Sequence, residues 1–377
     1  MQILTLIHEY PPVGGGGGHV AQDICRGLVQ RGHEVKVLTT HWDQLPQRED
    51  DQGVEVIRLK TGRRVPYKAD IFTMLCFVWA GFWAGLALIR RWKPDVVHVH
   101  FAVPAGAIAL GLKRFGGVPY VLTAHLGDVP GGVPEKTDRW FRWIMPFTPA
   151  IWKNASQVVA VSQFTQRLAL KHYPVPIEVI RNGVDLERLN PGELRLHTPP
   201  QIVFAGRFQP QKNPMMLIRV LSHLGDLPWT CTLIGDGPLK AELQAAIGLT
   251  GLTERFNLPG WLTPAEVVEK YRHADLMVLP SLSEGLPVVG VQALAMGLAL
   301  VFSRVGGNIE LVQPGSNGYL VDPLDEAGFE QALRTLLDSP EHLLAARNDS
   351  RQRAAAFDIQ QVVDRYEQVL KAAQNDY

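Results

Sequence analysis

The sequence lacks an excess of charge of either sign, because its 377 residues include 37 Lys and Arg and 37 Asp and Glu. Proteins that bind nucleic acid usually carry a basic surplus, so this balance argues against a nucleic-acid partner. Hydrophobic residues make up 46% of the chain and charged residues 20%, as is typical of globular proteins. The length is sufficient for two domains of ordinary size.

Cysteine is scarce, and its three positions, Cys25, Cys76 and Cys231, lie far apart without C-x-x-C spacing. This pattern argues against a disulfide framework and a cysteine-based zinc site, and it is typical of a reducing compartment. The amino-terminal residues lack the cationic start and the long apolar run of a signal peptide. We therefore expect a first strand there and a cytoplasmic protein.

The glycine fingerprint of dinucleotide-binding proteins is also missing. A predicted strand, Ile3–Ile7, leads to five consecutive glycines, Gly14–Gly18, but the third glycine of G-x-G-x-x-G is replaced. We expect a helix from about His19 to Arg31 after this loop, which completes the opening of a βαβ unit. Glycines let the backbone approach a ligand and point N–H groups at an anion. A flexible turn is the alternative interpretation.

Apolar runs alternate with helical segments along the rest of the chain, which predicts an α/β fold with parallel sheets. At three predicted strand ends, polar residues follow the strand. These residues are His125, Arg207, Lys212 and Glu284. Because ligands bind outside the carboxyl ends of strands in open α/β sheets, we expect these side chains to line binding sites.

Arg207 and Lys212 place two cations in one loop between a strand and a helix that begins near Pro214. Cations at a helix N-terminus are unfavourable, because the helix dipole prefers anions there. The arrangement is explained if a diphosphate lies between them, with paired donors from the arginine and a point charge from the lysine. Two solvated surface cations are the alternative.

The stretch from Pro280 to Gly297 turns from an apolar strand into an apolar helix. Glu284 comes just before the expected helix, where its carboxylate can accept hydrogen bonds from hydroxyl groups. Gln292 follows eight positions later, a little over two helical turns. We therefore expect the two side chains on nearly the same helix face.

His98 and His100 alternate along one predicted strand and therefore share a face. Two histidines on one strand face can bind a metal ion, but the sequence offers no evident third ligand. Ordinary hydrogen bonds are the commoner role of such residues. We predict no metal site.

Residues Ile71–Ile89 contain no charged side chain and are numerous enough to cross a membrane. They lie between two predicted strands of one sheet, so we expect a crossover helix with an aromatic face that also touches a membrane surface. A membrane-spanning helix ranks last. The basic and aromatic stretch from Asp138 to Phe147 predicts a peripheral membrane patch, an acceptor surface or a half-buried helix.

Six motifs, in chain order, resemble those of the family-four (group 1) retaining glycosyltransferases. They are P-P-x-x-G-G from Pro11, T-x-H-x-x-D from Thr123, N-G-V-D from Asn182, G-R-x-x-x-x-K from Gly206, E-x7-E from Glu284 with glutamine as its last residue, and P-G-x-x-G-x-L-V from Pro314. The resemblance implies the GT-B fold, in which two Rossmann-like domains with parallel sheets face a central cleft. It implies an acceptor domain at residues 1–186, joined by a C-terminal helix at 357–377, and a nucleotide-sugar donor domain at 187–356.

The resemblance also implies roles for individual residues. His125 would lie beside the donor sugar and Glu284 would hold sugar hydroxyls, as the two catalytic residues. The residues implied in donor binding are Gly15, Gly16, Arg207, Lys212, Gly285, Leu286, Pro287 and Gln292. No metal and no cofactor are implied. Gln292 stands where the family's glutamate accepts both ribose hydroxyls, and loss of that charge should weaken donor binding by about 1–2 kcal/mol.

The implied activity is a retaining, metal-independent transfer of a hexosyl group from a nucleotide sugar to a glycan or lipid-linked acceptor, in polysaccharide or lipopolysaccharide biosynthesis. A UDP-sugar is favoured as donor, and GDP-mannose is the alternative. We expect the protein in the cytoplasm, with its first domain at the inner face of the membrane. Two other interpretations are kept. A non-catalytic nucleotide-sugar-binding protein would bind the donor but never release free nucleotide in the presence of any acceptor. A nucleotide-sugar epimerase would convert the nucleotide sugar without an acceptor.

Overall fold

The computed structural model describes residues 1–65, 69–133 and 144–375. The chain divides into two compact units: the first comprises Met1–Gly183 and Ile359–Tyr377, and the second comprises Val184–Asp358. The sequence predicted domain limits at 186 and 356. Most of the basic and aromatic stretch at 138–147 lies outside the described residues, so its three interpretations stay predictions.

A mostly parallel sheet forms the centre of the first unit. Its strands are β1 (Gln2–Leu6), β2 (Glu34–Thr40), β3 (Arg48–Asp51), β4 (Val54–Leu59), β5 (Val96–His100), β6 (Tyr120–Ala124), β7 (Gln157–Ala160) and β8 (Glu178–Val179). Their order is β3-β4-β2-β1-β5-β6-β7-β8. Every residue of β5 and β6 is buried, as expected for central strands that helices cover on both faces.

Strand β3 departs from the predicted parallel arrangement, because it pairs with β4 in the antiparallel direction. The two strands are joined by a two-residue turn in which Gln52 and Gly53 have positive φ angles of 56° and 87°. Such a turn reverses the chain into a hairpin whose twist matches that of the strands. The other described strands of this sheet pair in parallel.

Helices of the first unit before the domain boundary are α1 (Gly16–Gln30), α2 (Ile71–Trp92), α3 (Ala105–Gly116), α4 (Thr148–Asn154) and α5 (Gln163–Leu170). The prediction that the first helix begins at His19 was wrong, because α1 includes the last three glycines of the run. Glycine is required there by close packing. A Cβ atom on Gly17 would lie 2.7 Å from the ring of Phe101, and one on Gly18 would overlap the carbonyl oxygen of Glu9.

Helix α2 is the crossover connection between β4 and β5, as the first-ranked interpretation predicted. It lies close against α3 at Gly81 and Gly85, where an added Cβ atom would clash with Ile108 and Leu112. By length and composition alone, α2 is also long and apolar enough to cross a membrane.

The second unit contains a six-stranded, wholly parallel sheet in the described chain. Its strands are β9 (Gln201–Ala205), β10 (Thr230–Ile234), β11 (Phe256–Gly260), β12 (Leu276–Leu279), β13 (Ala299–Ser303) and β14 (Gly318–Val321). The order is β11-β10-β9-β12-β13-β14. The helices are α6 (Pro214–Ser222), α7 (Lys240–Leu249), α8 (Pro264–Arg272), α9 (Val288–Ala295), α10 (Asn308–Leu311), α11 (Glu326–Leu337) and α12 (Pro340–Arg353).

The last helix, α13 (Ile359–Asn375), belongs to the first unit and packs against α1, where Val363 fills the space above Gly27. Val362, Tyr366 and Leu370, spaced four residues apart, are all buried, as the sequence pattern predicted. All three cysteines are unpaired thiols, which agrees with the absence of a disulfide framework.

Among the described parallel strands, the strand order reverses between β1 and β5 in the first unit and between β9 and β12 in the second. Ligands of open α/β sheets bind at such positions, outside the carboxyl ends of the strands. In the second unit the loops at this position carry Arg207, Lys212 and Glu284. In the first unit they carry the glycine run and Phe101.

Candidate functional site

The loops that follow β9 and β12 are joined by a lysine–glutamate pair. Lys212 Nζ donates to Glu284 Oε1 over 2.6 Å, and Ser281 Oγ donates to the same oxygen over 2.7 Å. Gln211 ties the loops further, since its Nε2 donates to the carbonyl oxygen of Ser283 over 3.0 Å. The sheet topology explains why these two loops are in contact, because β9 and β12 are hydrogen-bonded neighbours and their carboxyl ends lie at one sheet edge.

Little of this pair is exposed: 17% of the Lys212 side chain and 6% of the Glu284 side chain. A carboxylate at that depth requires a compensating charge and hydrogen-bond donors, and Lys212 and Ser281 supply both. Because both donors use Oε1, the second oxygen of Glu284 remains available to a ligand hydroxyl.

Arg207 lies in the same loop as Lys212 and is half-buried. Among the described residues its guanidinium group makes no hydrogen bond or ion pair with the protein. The backbone just before it lies against the lysine stem, since a Cβ atom on Gly206 would be 3.6 Å from Lys212 Cγ and Cδ. The loop therefore carries a second cation in addition to the lysine, with donors suited to phosphate oxygens.

A pair of glycines supports the Glu284 loop from behind, and the sequence analysis missed this role. A Cβ atom on Gly306 would overlap the carbonyl oxygen of Glu284, and one on Gly307 would overlap that of Gly285. The Gly307 N–H donates to the Glu284 carbonyl over 3.3 Å. The signal was the Gly-Gly pair just after β13, where only residues without a side chain permit this contact.

The prediction that Glu284 and Gln292 share a helix face was wrong. Helix α9 begins at Val288 after Pro287, so Glu284 lies in the preceding loop. Gly285 and Leu286 lie in that loop as well, and Leu286 is buried. Gln292 is half-buried inside α9. The two residues of the eight-residue spacing therefore lie in different elements: Glu284 in a loop and Gln292 in a helix.

In the first unit, Gly15 and Gly16 form the start of α1, with Gly15 as the N-cap residue. The preceding Gly14 has a φ of 99° and lies over Glu9, where a Cβ atom would clash. The loop is anchored by Tyr10, which is buried and donates to Asp51 over 2.8 Å. The glycine run is thus a tightly packed helix start, and the flexible turn considered as an alternative is not what forms.

His125 follows β6, and its ring is surrounded by aromatic and imidazole rings. The Phe101 ring stacks on it with centroids 4.3 Å apart, and His100 Nδ1 lies 3.3 Å from His125 Nε2. Burial, with a smaller contribution from His8, lowers the pKa of His125 to about 3. The imidazole is therefore neutral at physiological pH, and it can exchange hydrogen bonds with a hydroxyl without carrying charge.

His98 and His100 share one face of β5, as predicted, with ring centroids 4.3 Å apart. His98 Nε2 is hydrogen-bonded to Thr123 Oγ1 over 3.0 Å. Burial lowers the pKa of both imidazoles, that of His98 to about 3. Over the described ranges, no group of three or more His, Cys, Asp or Glu side chains is arranged to hold a metal ion.

Comparison with known proteins identifies the family. The model of Glycosyltransferase Family 4 matches residues 14–188, and that of Glycosyl transferases group 1 matches residues 187–353. The chain is 30% identical to the glycogen synthase of Mycobacterium tuberculosis, in an alignment that covers 99% of this chain and 95% of that protein. The chain belongs to the group 1 glycosyltransferases. This glycosyltransferase is also 28% identical to the D-inositol 3-phosphate glycosyltransferase of Segniliparus rotundus, over 94% of this chain and 84% of that protein.

Solved structures confirm the GT-B fold of this glycosyltransferase. Sucrose-phosphate synthase from Thermosynechococcus elongatus has a TM-score of 0.87 and 21% identity over the full length of both chains. Anabaena HepE, solved with UDP-glucose, has a TM-score of 0.78 and 19% identity over 99% of this chain and 100% of that one. At these identities the likeness concerns the fold alone, so the roles implied for the individual site residues stay predictions.

Proposed function

We propose that this glycosyltransferase moves a hexosyl group from a nucleotide sugar to a glycan or lipid-linked acceptor, with retention of anomeric configuration and without a metal ion. The observation that carries the proposal is the Lys212–Glu284 pair, in whose loop Arg207 also lies with no partner among the described residues. The two loops at this sheet edge thereby offer two cations for a diphosphate and a carboxylate for sugar hydroxyls.

Arg207 and Lys212 can stabilise the negative charge that develops on the leaving group of the reaction. Cleavage of the bond between the anomeric carbon and the diphosphate leaves negative charge on the departing phosphate oxygens. Arg207 can donate two parallel hydrogen bonds to those oxygens and Lys212 adds a point charge. Fixed donors of this kind are each worth roughly 10²–10³-fold in rate.

The other site residues receive roles compatible with their positions. Glu284 accepts hydrogen bonds from sugar hydroxyls through Oε2, and it is a binding group rather than a nucleophile. Neutral His125 contacts the donor sugar. The N–H groups at Gly15 and Gly16, at the start of α1, receive the diphosphate or the acceptor.

A UDP-sugar is the favoured donor, with GDP-mannose as the alternative. HepE, whose structure contains UDP-glucose, shows that a protein of this fold can hold such a donor. Gln292, at a half-buried position in α9, contacts the ribose of the donor through its one acceptor oxygen.

Binding and turnover of a nucleotide-sugar panel test the proposal. UDP-, GDP- and ADP-sugars are screened by thermal shift, and release of the nucleoside diphosphate in the presence of glycan and lipid-linked acceptors is then measured with and without EDTA. We expect one donor to stabilise the protein and to be consumed equally in EDTA, and NMR of the product to show the donor's anomeric configuration. Arg207→Ala should lower turnover by roughly 10²-fold. Arg219→Ala, which removes an exposed cation of α6 paired with Glu326, is the matched control. A protein that binds a donor without ever releasing nucleotide would contradict the proposal.

We further propose that the protein works in the cytoplasm with its first unit on the membrane surface. Along one side of α2, Phe72, Leu75, Trp79 and Trp83 are each 52–68% exposed. Only 22% of the most apolar 18-residue window of the helix is buried in the protein. A large exposed apolar surface of this kind is typical of an interaction site.

Basic residues near this face favour an anionic lipid surface as its partner. Arg90, Arg91 and Lys93 are exposed at the end of α2, and Arg114 is exposed beside Phe115 on α3. An apolar helix face with tryptophan rings and neighbouring cations inserts into the interfacial region of an anionic bilayer. The enzyme would bind a lipid-linked acceptor at that membrane surface.

Vesicle sedimentation tests the membrane proposal. The protein should bind vesicles that contain anionic phospholipid and should bind neutral vesicles less. Trp79→Ser should weaken binding by about tenfold, since a buried tryptophan ring contributes more than 1 kcal/mol. Trp261→Ser is the matched control, because Trp261 is 58% exposed in the second unit. Equal loss in both variants, or no binding by the native protein, would contradict the proposal.

A further inference from the structure

Phe101 has a backbone conformation that its residue type rarely adopts. It follows the last residue of β5 and has a φ of 71°. A bulky side chain is disfavoured in the left-handed region, because its Cβ atom crowds the backbone. The N–H of Phe101 nevertheless remains paired with the sheet, donating to the Thr123 carbonyl over 3.1 Å. Strain of this kind persists where the surrounding structure holds the residue in place, often at a functional position.

The left-handed backbone determines where the Phe101 ring lies. His100 and an extended residue 101 would point to opposite faces of the sheet, because side chains alternate along a strand. The Phe101 ring instead stacks on His125, at 4.3 Å between centroids and 26° between planes. His125 lies on the His100 side, since their ring nitrogens are 3.3 Å apart.

The stacked pair is enclosed on other sides as well. The first turn of α1 passes so close that a Cβ atom on Gly17 would lie 2.7 Å from Phe101 Cζ and 3.5 Å from His125 Cε1. His8 contacts the Phe101 ring edge-on at 5.0 Å. Residues of strand β5 and of the glycine run, together with His8, therefore surround the imidazole ring of His125, which follows strand β6.

We propose that Phe101 is a positioning residue that fixes the ring plane of His125 and shields one face of that ring from water. The inference rests on the proposed function, in which His125 contacts the donor sugar. Phe101 has no polar side-chain atom, so its contribution to sugar transfer passes through His125.

The protonation of His125 gives a readout of this shielding. Its pKa is lowered chiefly by burial, and secondarily by His8. Other titratable or charged groups near these rings are His100 beside His125, His98 next to His100, and Glu9 and Arg63 beside His8. Removal of the Phe101 ring admits water to the imidazole, so its pKa moves up toward the ordinary value of about 6.5.

NMR titration of the His125 ring in the full-length protein is the direct test. In the native chain we expect no titration of His125 between about pH 5 and 8. In Phe101→Leu and Phe101→Gly we expect a titration midpoint within that range. The glycine variant also relieves the left-handed backbone, which guards against a failure to fold. Phe115→Leu, at an exposed position on α3, should behave as the native chain does. An unchanged His125 titration in both Phe101 variants would overturn the proposal.

A double-mutant cycle tests the link to sugar transfer. Phe101→Leu should lower kcat by about 10–100-fold, as expected for a misplaced contact group, with a smaller change in the KM for the donor. In a His125→Ala background the same substitution should lower kcat no further. Losses that multiply across the cycle would overturn the proposal. If no nucleotide sugar is turned over, the proposed function fails, and the NMR titration still decides the role of Phe101.

Discussion

Lys212 Nζ donates a hydrogen bond to Glu284 Oε1 over 2.6 Å, although the two residues are 72 positions apart in the chain. They meet because β9 and β12 are neighbouring parallel strands, so the loops that follow them share one sheet edge. Glu284 is 5% exposed, and its Oε1 accepts hydrogen bonds from the lysine and from Ser281. The two residues therefore contribute to stability as a unit as well as to the proposed chemistry.

Removal of the lysine should be costly for the fold. Lys212→Met leaves a buried carboxylate that keeps, within the described ranges, only the Ser281 hydrogen bond. We expect the free energy of unfolding to fall by about 3 kcal/mol. Arg207→Met is the matched control, because it removes a cation of the same loop that has no described partner and should change stability by less than about 0.5 kcal/mol. Urea unfolding measures both. Equal stability of the two variants would contradict the described ion pair.

A second prediction concerns Gly306, one of the two glycines packed against the backbone of the Glu284 loop. Gly306→Ala places a methyl group against the Glu284 carbonyl oxygen, in a residue whose φ is 53°. We expect a loss of more than about 2 kcal/mol in the free energy of unfolding and of at least about tenfold in transfer rate. Gly315→Ala is the control. It carries a similar backbone strain at φ 79°, but its added Cβ atom meets no atom within 4 Å, so its cost should be about 1–2 kcal/mol, without loss of rate.

Much of the second-unit site was predictable from local sequence. The alternation of apolar runs and helices, and the rule that ligands bind at strand carboxyl ends, indicated the loops of Arg207, Lys212 and Glu284. The direct contact between Lys212 and Glu284 could not be derived in this way. It depends on which strands are neighbours in the sheet, and strand order is a long-range property.

Other features had no local signal. Phe101 is not a typical turn residue, and its left-handed backbone depends on packing against His125 and Gly17. The start of α1 was misplaced because glycine runs favour loops by propensity, whereas tertiary contact with Phe101 and Glu9 makes glycine necessary inside this helix. Glu284 was assigned to a helix face from spacing alone, but the chain completes its turn at Pro287 before the helix begins.

The buried histidines predict how stability depends on pH. Burial lowers the pKa of four imidazoles of the first unit, and Arg63 adds to the effect on His8 while Glu9 opposes it. In the unfolded chain these groups titrate near about 6.5, so below that pH the unfolded state binds more protons. Stability is therefore fully present above about pH 6.5 and is lost as the pH falls, by up to about 1.4 kcal/mol per pH unit for each group.

Urea unfolding between about pH 7.5 and 5 measures this dependence in a window above the usual carboxylate pKa values. His98→Gln removes one such group, whose pKa is lowered to about 3, and should reduce the slope below about pH 6.5. An unchanged slope in His98→Gln would mean that His98 already takes up its proton in the folded state.

Gln292 supplies the last prediction, because its side chain is half-buried in α9 at the position of the second glutamate of the family motif. Gln292→Glu restores a carboxylate that can accept hydrogen bonds from both ribose hydroxyls. A gain of about 1–2 kcal/mol, or roughly tenfold in the Kd of the nucleoside diphosphate, is expected from the charge-assisted hydrogen bond. Isothermal titration with UDP and GDP measures it, and Gln292→Met, which offers no acceptor oxygen, should bind less tightly than the native chain. A large loss of activity in Gln292→Glu would show that the amide has a role that a carboxylate cannot fill.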